Sequence, residues 1–140
     1  MGCLKDGKPH GFGKFIYADG QIAYEGEWAD GKQHIAGSLY YPGSVPKYIG
    51  EWNNGEPHGL GTSFYPSGNK EYTGAWFDGA PHGHGTSYFK KKSKKEYVGN
   101  WINGKPDGFG EYYDEYGGLE TFVFTDEELY QERDKKLKSK

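Results

Sequence analysis

The run Tyr48-Ile49-Gly50-Glu51-Trp52-Asn53-Asn54-Gly55-Glu56-Pro57-His58-Gly59-Leu60-Gly61 decides the fold, because the chain repeats it. Its first word, Tyr-x-Gly-x-Trp, returns at Tyr24, Gly26 and Trp28, at Tyr72, Gly74 and Trp76, and at Tyr97, Gly99 and Trp101. Successive tryptophans are 24, 24 and 25 residues apart, so the 4 tryptophans of the protein are one structural position used repeatedly. Strand side chains alternate between faces, which puts Tyr24, Gly26 and Trp28 on one side and Glu25 and Glu27 on the other. Asp30-Gly31 follows, matched by Asp6-Gly7, Asn54-Gly55, Asp78-Gly79 and Asn103-Gly104. Both central residues of a type I′ turn need positive φ, which Asx-Gly supplies, so each copy is predicted to reverse there as a β-hairpin.

The return strand opens on a Gly-x-Gly pair, Gly11 with Gly13, Gly59 with Gly61, Gly83 with Gly85, and Gly108 with Gly110, and continues through aromatic residues such as Phe15, Phe64 and Tyr112. A second turn, Pro66-Ser67-Gly68-Asn69 in one copy, leads into the next Tyr-x-Gly-x-Trp. Glycine is a poor strand residue, contributing no packing at a cost in backbone entropy. Beside Tyr and Trp it leaves a gap for a ring from the adjoining strand, and a row of interlocked rings is how a one-layer sheet excludes water. The expected fold is therefore all-β: an elongated, single-layer, twisted antiparallel meander of hairpins.

Composition agrees with a stack rather than a single central core. Of 140 residues, 34% are hydrophobic and 18% aromatic, and 24 are glycine, well above the usual share of roughly 7%. Such a core is renewed copy by copy. The net charge of −3 and pI of about 5.9 carry no footprint of a nucleic-acid binder. One cysteine rules out a disulfide framework within the chain and suits a reducing, cytoplasmic setting. No stretch approaches the roughly 20 apolar residues of a membrane-spanning helix.

The ends depart from the pattern. Setting Gly2-Cys3-Leu4 under Gly50-Glu51-Trp52 makes the opening a half copy, with Gly2 on the repeat glycine and Leu4 on the tryptophan. This accounts for Gly2 and Cys3 better than an acylation signal, since the sixth residue is Asp6 rather than Ser or Thr. A half copy leaves an incompletely protected first edge, where self-association through strand pairing is expected. In the second copy, Gln33-His34-Ile35-Ala36-Gly37 has lost the proline and first glycine, and a local irregularity such as a bulge is expected there. In the last, Phe122 falls on the repeat tyrosine and Phe124 on the glycine, giving a capping strand. Thr125-Asp126-Glu127-Glu128 is a capping box, predicting a short C-terminal capping helix from about Asp126 to Leu137. The organisation is thus a sheet over residues 1–124 and a helix with a basic tail over residues 125–140.

The Tyr-x-Gly-x-Trp, Asx-Gly and His-Gly-x-Gly words at this spacing resemble MORN repeats (membrane occupation and recognition nexus) over nearly all of residues 2–124. The resemblance implies an elongated sheet of hairpins without catalysis of its own, serving as a scaffold and docking groove in ciliary, junctional-membrane and cytoskeletal assemblies. It implies a cytoplasmic protein associated with the cytoskeleton or cilium.

Candidate sites follow from chemistry. His10, His34, His58 and His82 sit at equivalent positions two strands apart, about 10 Å, too far to share a zinc whose ligands each lie about 2.0 Å from it. They belong to the repeat turn, and no metal is expected. No nucleophile elbow is present and the Gly-x-Gly words lack the following helix of a phosphate loop, so neither catalysis nor a cofactor is expected. The candidate partner-binding groove is the aromatic face, Tyr24, Trp28, Tyr48, Trp52, Tyr72, Trp76, Tyr97 and Trp101, expected to stand exposed and receive a helix or peptide of a protein partner. The alternative is tethering to phosphoinositide or another acidic lipid through the turn carrying Lys90, Lys91, Lys92, Lys94 and Lys95, which otherwise reads as a solvated hairpin tip.

Overall fold

The computed structural model describes residues 3–124, which form strands and turns only. A two-residue hairpin, β1 (Leu4–Lys5) with β2 (Lys8–Pro9), precedes β3 (Gly11–Ile16), β4 (Ile22–Ala29), β5 (Lys32–Tyr40), β6 (Pro46–Asn53), β7 (Glu56–Phe64), β8 (Lys70–Phe77), β9 (Ala80–Tyr88), β10 (Lys95–Ile102), β11 (Lys105–Tyr113) and β12 (Leu119–Phe124). From β3 to β12 the order in space is the order in sequence, a 10-stranded antiparallel meander. The expected C-terminal helix lies outside the described residues.

The Asx-Gly turns behave as their residues dictate. Asp6, Asp30, Asn54, Asp78 and Asn103 have φ of 47–53°, and the glycine after each is also positive. The turns are tied to one another as well: the amides of Gly31, Gly55, Gly79 and Gly104 donate to the carbonyls of Pro9, Gln33, Pro57 and Pro81, each at 2.9 Å, one copy back. The opposite row of turns has its own ladder, with the hydroxyls of Tyr17, Tyr41 and Tyr65 donating to the carbonyls of Tyr40, Phe64 and Tyr88. Phe89, at the next rung, has no hydroxyl. Its turn closes from the Phe89 amide to the Lys94 carbonyl, one residue longer than the Tyr65 to Asn69 closure, which is where the period stretches to 25.

Two register breaks recur. Between the repeat glycine and tryptophan, one residue such as Glu51 faces three on the return strand, His58, Gly59 and Leu60, and the same break occurs at Gly26/Trp28, Gly74/Trp76 and Gly99/Trp101. The irregularity expected only in the second copy is therefore a feature of every copy. What distinguishes the second is that Ile35, at φ 69°, occupies the left-handed position that Gly11, Gly59, Gly83 and Gly108 fill elsewhere. A second break inserts Ala23, Lys47, Glu71 or Glu96 just before the repeat tyrosine. It is missing from the β11–β12 pair, where Gly110 faces Phe122 and Gly108 faces Phe124. Since Gly61 faces Gly74 and Gly59 faces Trp76, Phe122 stands on the glycine position and Phe124 on the tryptophan. This corrects the alignment by spacing by two residues: the last strand lacks the inserted residue, and its turn closes from the Asp114 amide to the Gly118 carbonyl, one residue shorter than the turn before it.

Candidate partner-binding surfaces

The repeat rings are fixed from both sides. Within a copy the tyrosine and tryptophan stand one strand-turn apart on the same face, and the rings meet edge to face at 5.0 Å for Tyr24–Trp28, 5.0 Å for Tyr48–Trp52, 5.2 Å for Tyr72–Trp76 and 5.3 Å for Tyr97–Trp101. Each tyrosine also meets the next copy's tryptophan, Tyr24–Trp52 at 5.4 Å, Tyr48–Trp76 at 5.2 Å and Tyr72–Trp101 at 5.1 Å. The T-shaped contact places a positive ring edge against a negative face and stabilises by about 0.5–1.5 kcal/mol beyond the area buried. The glycines make this approach possible: a Cβ on Gly61 would overlap the Tyr48 phenol, and one on Gly50 would lie 2.6 Å from the Leu60 carbonyl oxygen.

The polar atoms of the rings are used internally. Tyr24, Tyr48, Tyr72 and Tyr97 donate their hydroxyls to the carbonyls of Glu27, Glu51, Ala75 and Asn100 at 2.7–3.1 Å. Trp52, Trp76 and Trp101 donate their indole N–H to the carbonyls of Gly37, Gly61 and Gly85 at 3.0–3.1 Å. Burial pushes the Tyr24 phenol up to about 12, helped by the nearby Glu27 carboxylate, and that of Tyr72 up to about 12, while Tyr48 and Tyr97 are raised for the same reason.

The expectation that these rings stand exposed is corrected by their burial. Tyr24, Tyr48, Trp52, Tyr72, Trp76, Tyr97 and Trp101 are at most 9% exposed, and Trp28 alone of the eight is only partly covered. The rings cover each other and become the core. What remains above them is a groove of ≈ 330 Å³ whose floor includes Tyr48, Trp52 and Trp76 and whose walls include Tyr41, Pro57, Lys47 and Glu71. The Lys47 ammonium lies 5.6 Å from the Tyr41 ring centre, and burial together with the Glu71 carboxylate raises the Tyr41 phenol above its usual 10. Lys47 and Glu71 are the residues inserted by the register break, a signal absent from a count of one strand alone.

The opposite face is bare by comparison. Ile35, Ile49, Leu60 and Phe77 are all at least 43% exposed there. Phe77 lies between His58 and His82, with ring centres 5.1 and 5.7 Å away. The Nδ1 atoms of these histidines accept the amides of Asp78 and Asn103, each at 3.4 Å, so a histidine braces the next copy's turn. Among the described residues no group of three or more His, Cys, Asp or Glu is placed to hold a metal ion.

Lys90, Lys91, Lys92, Lys94 and Lys95 are all exposed on the longer turn. Lys92 sits 4.7 Å over the Tyr116 ring, and Ser93 donates to Asn69 Oδ1 at 3.2 Å, linking this turn to its neighbours on either side. No described helix is long and apolar enough to cross a membrane.

None of the curated proteins compared with the chain matches it. A family model for the MORN repeat matches five segments, residues 1–22, 24–42, 48–70, 72–94 and 97–115, the first being the half copy at the chain start. Four of those segments open on or within one residue of the Tyr-x-Gly-x-Trp words, whose ring ladder and paired hairpins build the sheet, and the chain belongs to the MORN-repeat family.

Proposed function

We propose that this chain is a docking scaffold without catalytic activity that holds a helix or extended peptide of a partner protein along its aromatic face, within a ciliary or other cytoskeletal assembly. MORN repeats are in general protein- and membrane-interaction modules, and the family is typically non-catalytic. The observation that carries the finer reading is the groove above Tyr48, Trp52 and Trp76, where an apolar floor is bordered by one cation, Lys47, and two anions, Glu56 and Glu71. A buried aromatic floor gives a partner side chain apolar area without mobile groups to order, and the charged walls fix its direction. The cytoskeletal setting rests on the family alone.

The test is affinity capture with the wild-type chain and with a Tyr41→Ala, Lys47→Glu, Glu71→Lys variant. Lys47 and Glu71 lie outside the ring core, while Tyr41→Ala also removes its bond to the Phe64 carbonyl, so the melting temperature is expected to fall by several degrees with the sheet still folded while the captured partners are lost. A folded variant that retains every partner refutes the groove.

A second reading is supported by the lysine turn. Five exposed lysines in six residues, on a tip that lacks the tyrosine rung, form a cationic surface suited to an acidic lipid headgroup.

A further inference from the structure

Among the described residues, the ring ladder has one place unfilled at the β3 end. Trp52, Trp76 and Trp101 each lie between two tyrosines, one from their own copy and one from the copy before. Trp28 has Tyr24 at 5.0 Å on one side, and on the other a hollow of ≈ 370 Å³ lined by Cys3, Leu4, Pro9, Gly13, Lys14 and Phe15. Among the described residues Trp28 does not make the indole bond to a return-strand glycine that the other three tryptophans make.

Neighbouring residues bear the mark of a missing cover. Phe15 pairs with Tyr24, which puts it at the register of Ser63, Ser87 and Tyr112. Those three are at most 8% exposed, whereas Phe15 is 57% exposed. Ser63 lies between Tyr48 and Tyr72, and Ser87 between Tyr72 and Tyr97, one tyrosine on each adjoining strand. Among the described residues Phe15 has such a strand on its β4 side only. Leu4, on the tryptophan position of the half copy, is 68% exposed.

We propose that this hollow is a binding site for a tyrosine carried on an extended segment of a partner protein, which adds antiparallel to the outer edge of β3 opposite Phe15. Its occupant is identified by the three filled equivalents, and the site continues the interface along which the copies already pack. In each, a phenol lies edge-on to an indole of the next copy at 5.1–5.4 Å, with its hydroxyl bonded to a carbonyl three residues on in its own strand. Strand addition supplies main-chain bonds, and the hollow supplies the side-chain choice. This site is separate from the groove, since it shares none of Tyr41, Lys47 or Glu71.

The test uses the full chain and a synthetic amidated peptide with the chain's own sequence Gly43–Tyr48, which places a tyrosine as β6 does. In a proton–nitrogen spectrum the four indole N–H signals are resolved one per tryptophan. Saturable movement of the Trp28 signal with the other three still, and binding at least about tenfold weaker for the peptide with Tyr48→Ala, is the expected result. A Phe15→Lys chain, altered at an exposed position that need not disturb folding, is expected to lose peptide binding by a similar factor. A stationary Trp28 signal at millimolar peptide, equal binding of the alanine peptide, or movement of all four indoles overturns the proposal. So does movement of the Trp28 signal with protein concentration alone, which would make a second copy the occupant. The Tyr41, Lys47, Glu71 variant is expected to bind the peptide normally, so failure of the groove leaves this result standing.

Discussion

Ile35 shows what a single residue contributes when it stands against the pattern. Its φ of 69° belongs to the left-handed region, where a β-branched side chain crowds its own backbone and where four other copies place glycine. Such a conformation costs about 1–3 kcal/mol and is held by the pairings on either side, Gly37 with Gly50 and Ile35 with Trp52. The side chain returns little, being 60% exposed. Ile35→Gly is therefore expected to stabilise the protein by roughly 1 kcal/mol after the entropic cost of glycine, raising the melting temperature by about 4 °C. Ala36→Gly, next door in ordinary strand geometry, is expected to do the reverse by about 0.5–1 kcal/mol. Thermal melts of the two variants that move in the same direction would remove the strain argument. The missing glycine was legible in Gln33-His34-Ile35-Ala36-Gly37, but its consequence was not: a bulge is a count across two strands, and the letters of one strand do not show that every copy has the same two extra residues.

At the scale of the element, turns were easier to read than strand pairings. Asx-Gly acts through its own φ angles, so the five sharp turns followed directly from residue type. The inserted residues Ala23, Lys47, Glu71 and Glu96 answer to the partner strand and appear only when the register is known, which is why the groove walls are not legible in one strand and why spacing alone puts Phe122 two residues from where it pairs. Burial of the rings escaped the sequence for a related reason, since exposure depends on contacts between copies as well as within them. The lysine turn is an element that can be tested on its own. Its tip is exposed and its closure runs through the main chain, so Lys90→Gln, Lys91→Gln, Lys94→Gln and Lys95→Gln together should leave the melting temperature unchanged. If the turn meets acidic lipid, flotation with phosphoinositide-containing vesicles should fall by about two to three orders of magnitude, at about 1 kcal/mol per lysine, and wild-type flotation should weaken as salt is raised. Lys92 is left in place because it already covers Tyr116. Wild-type chain that stays with the protein fraction at low salt, or a variant that floats equally well, excludes lipid as the target.

The molecule as a whole is held by contacts that alternate within and between copies, so each tyrosine couples its own hairpin to the next and the sheet behaves as a chain of nearest-neighbour links. The same tyrosines make that chain sensitive to alkali. An exposed phenol ionises near pH 10, and an unfolded chain would lose all its phenol protons there. In the folded sheet Tyr24 and Tyr72 hold theirs to about 12, and Tyr48 and Tyr97 are raised in the same direction, because a phenolate would be stranded among rings and main-chain acceptors. The folded state thus binds more protons than the unfolded one above pH 10, so stability falls as pH rises from there through about 12, while below pH 10 the contribution is present in full. Phenolate absorbance followed with near-ultraviolet circular dichroism should show two phases among the 13 tyrosines: an early one near pH 10 with the dichroism intact, and a late one that coincides with loss of the aromatic signal. Tyr72→Phe removes one buried titrating group along with its bond to the Ala75 carbonyl, so it should lower stability at neutral pH by about 1 kcal/mol and flatten the decline above pH 10. A single phase near pH 10 that ionises every tyrosine while the aromatic dichroism persists would mean that the rings are open to water in solution, and the sheet would then need some other core.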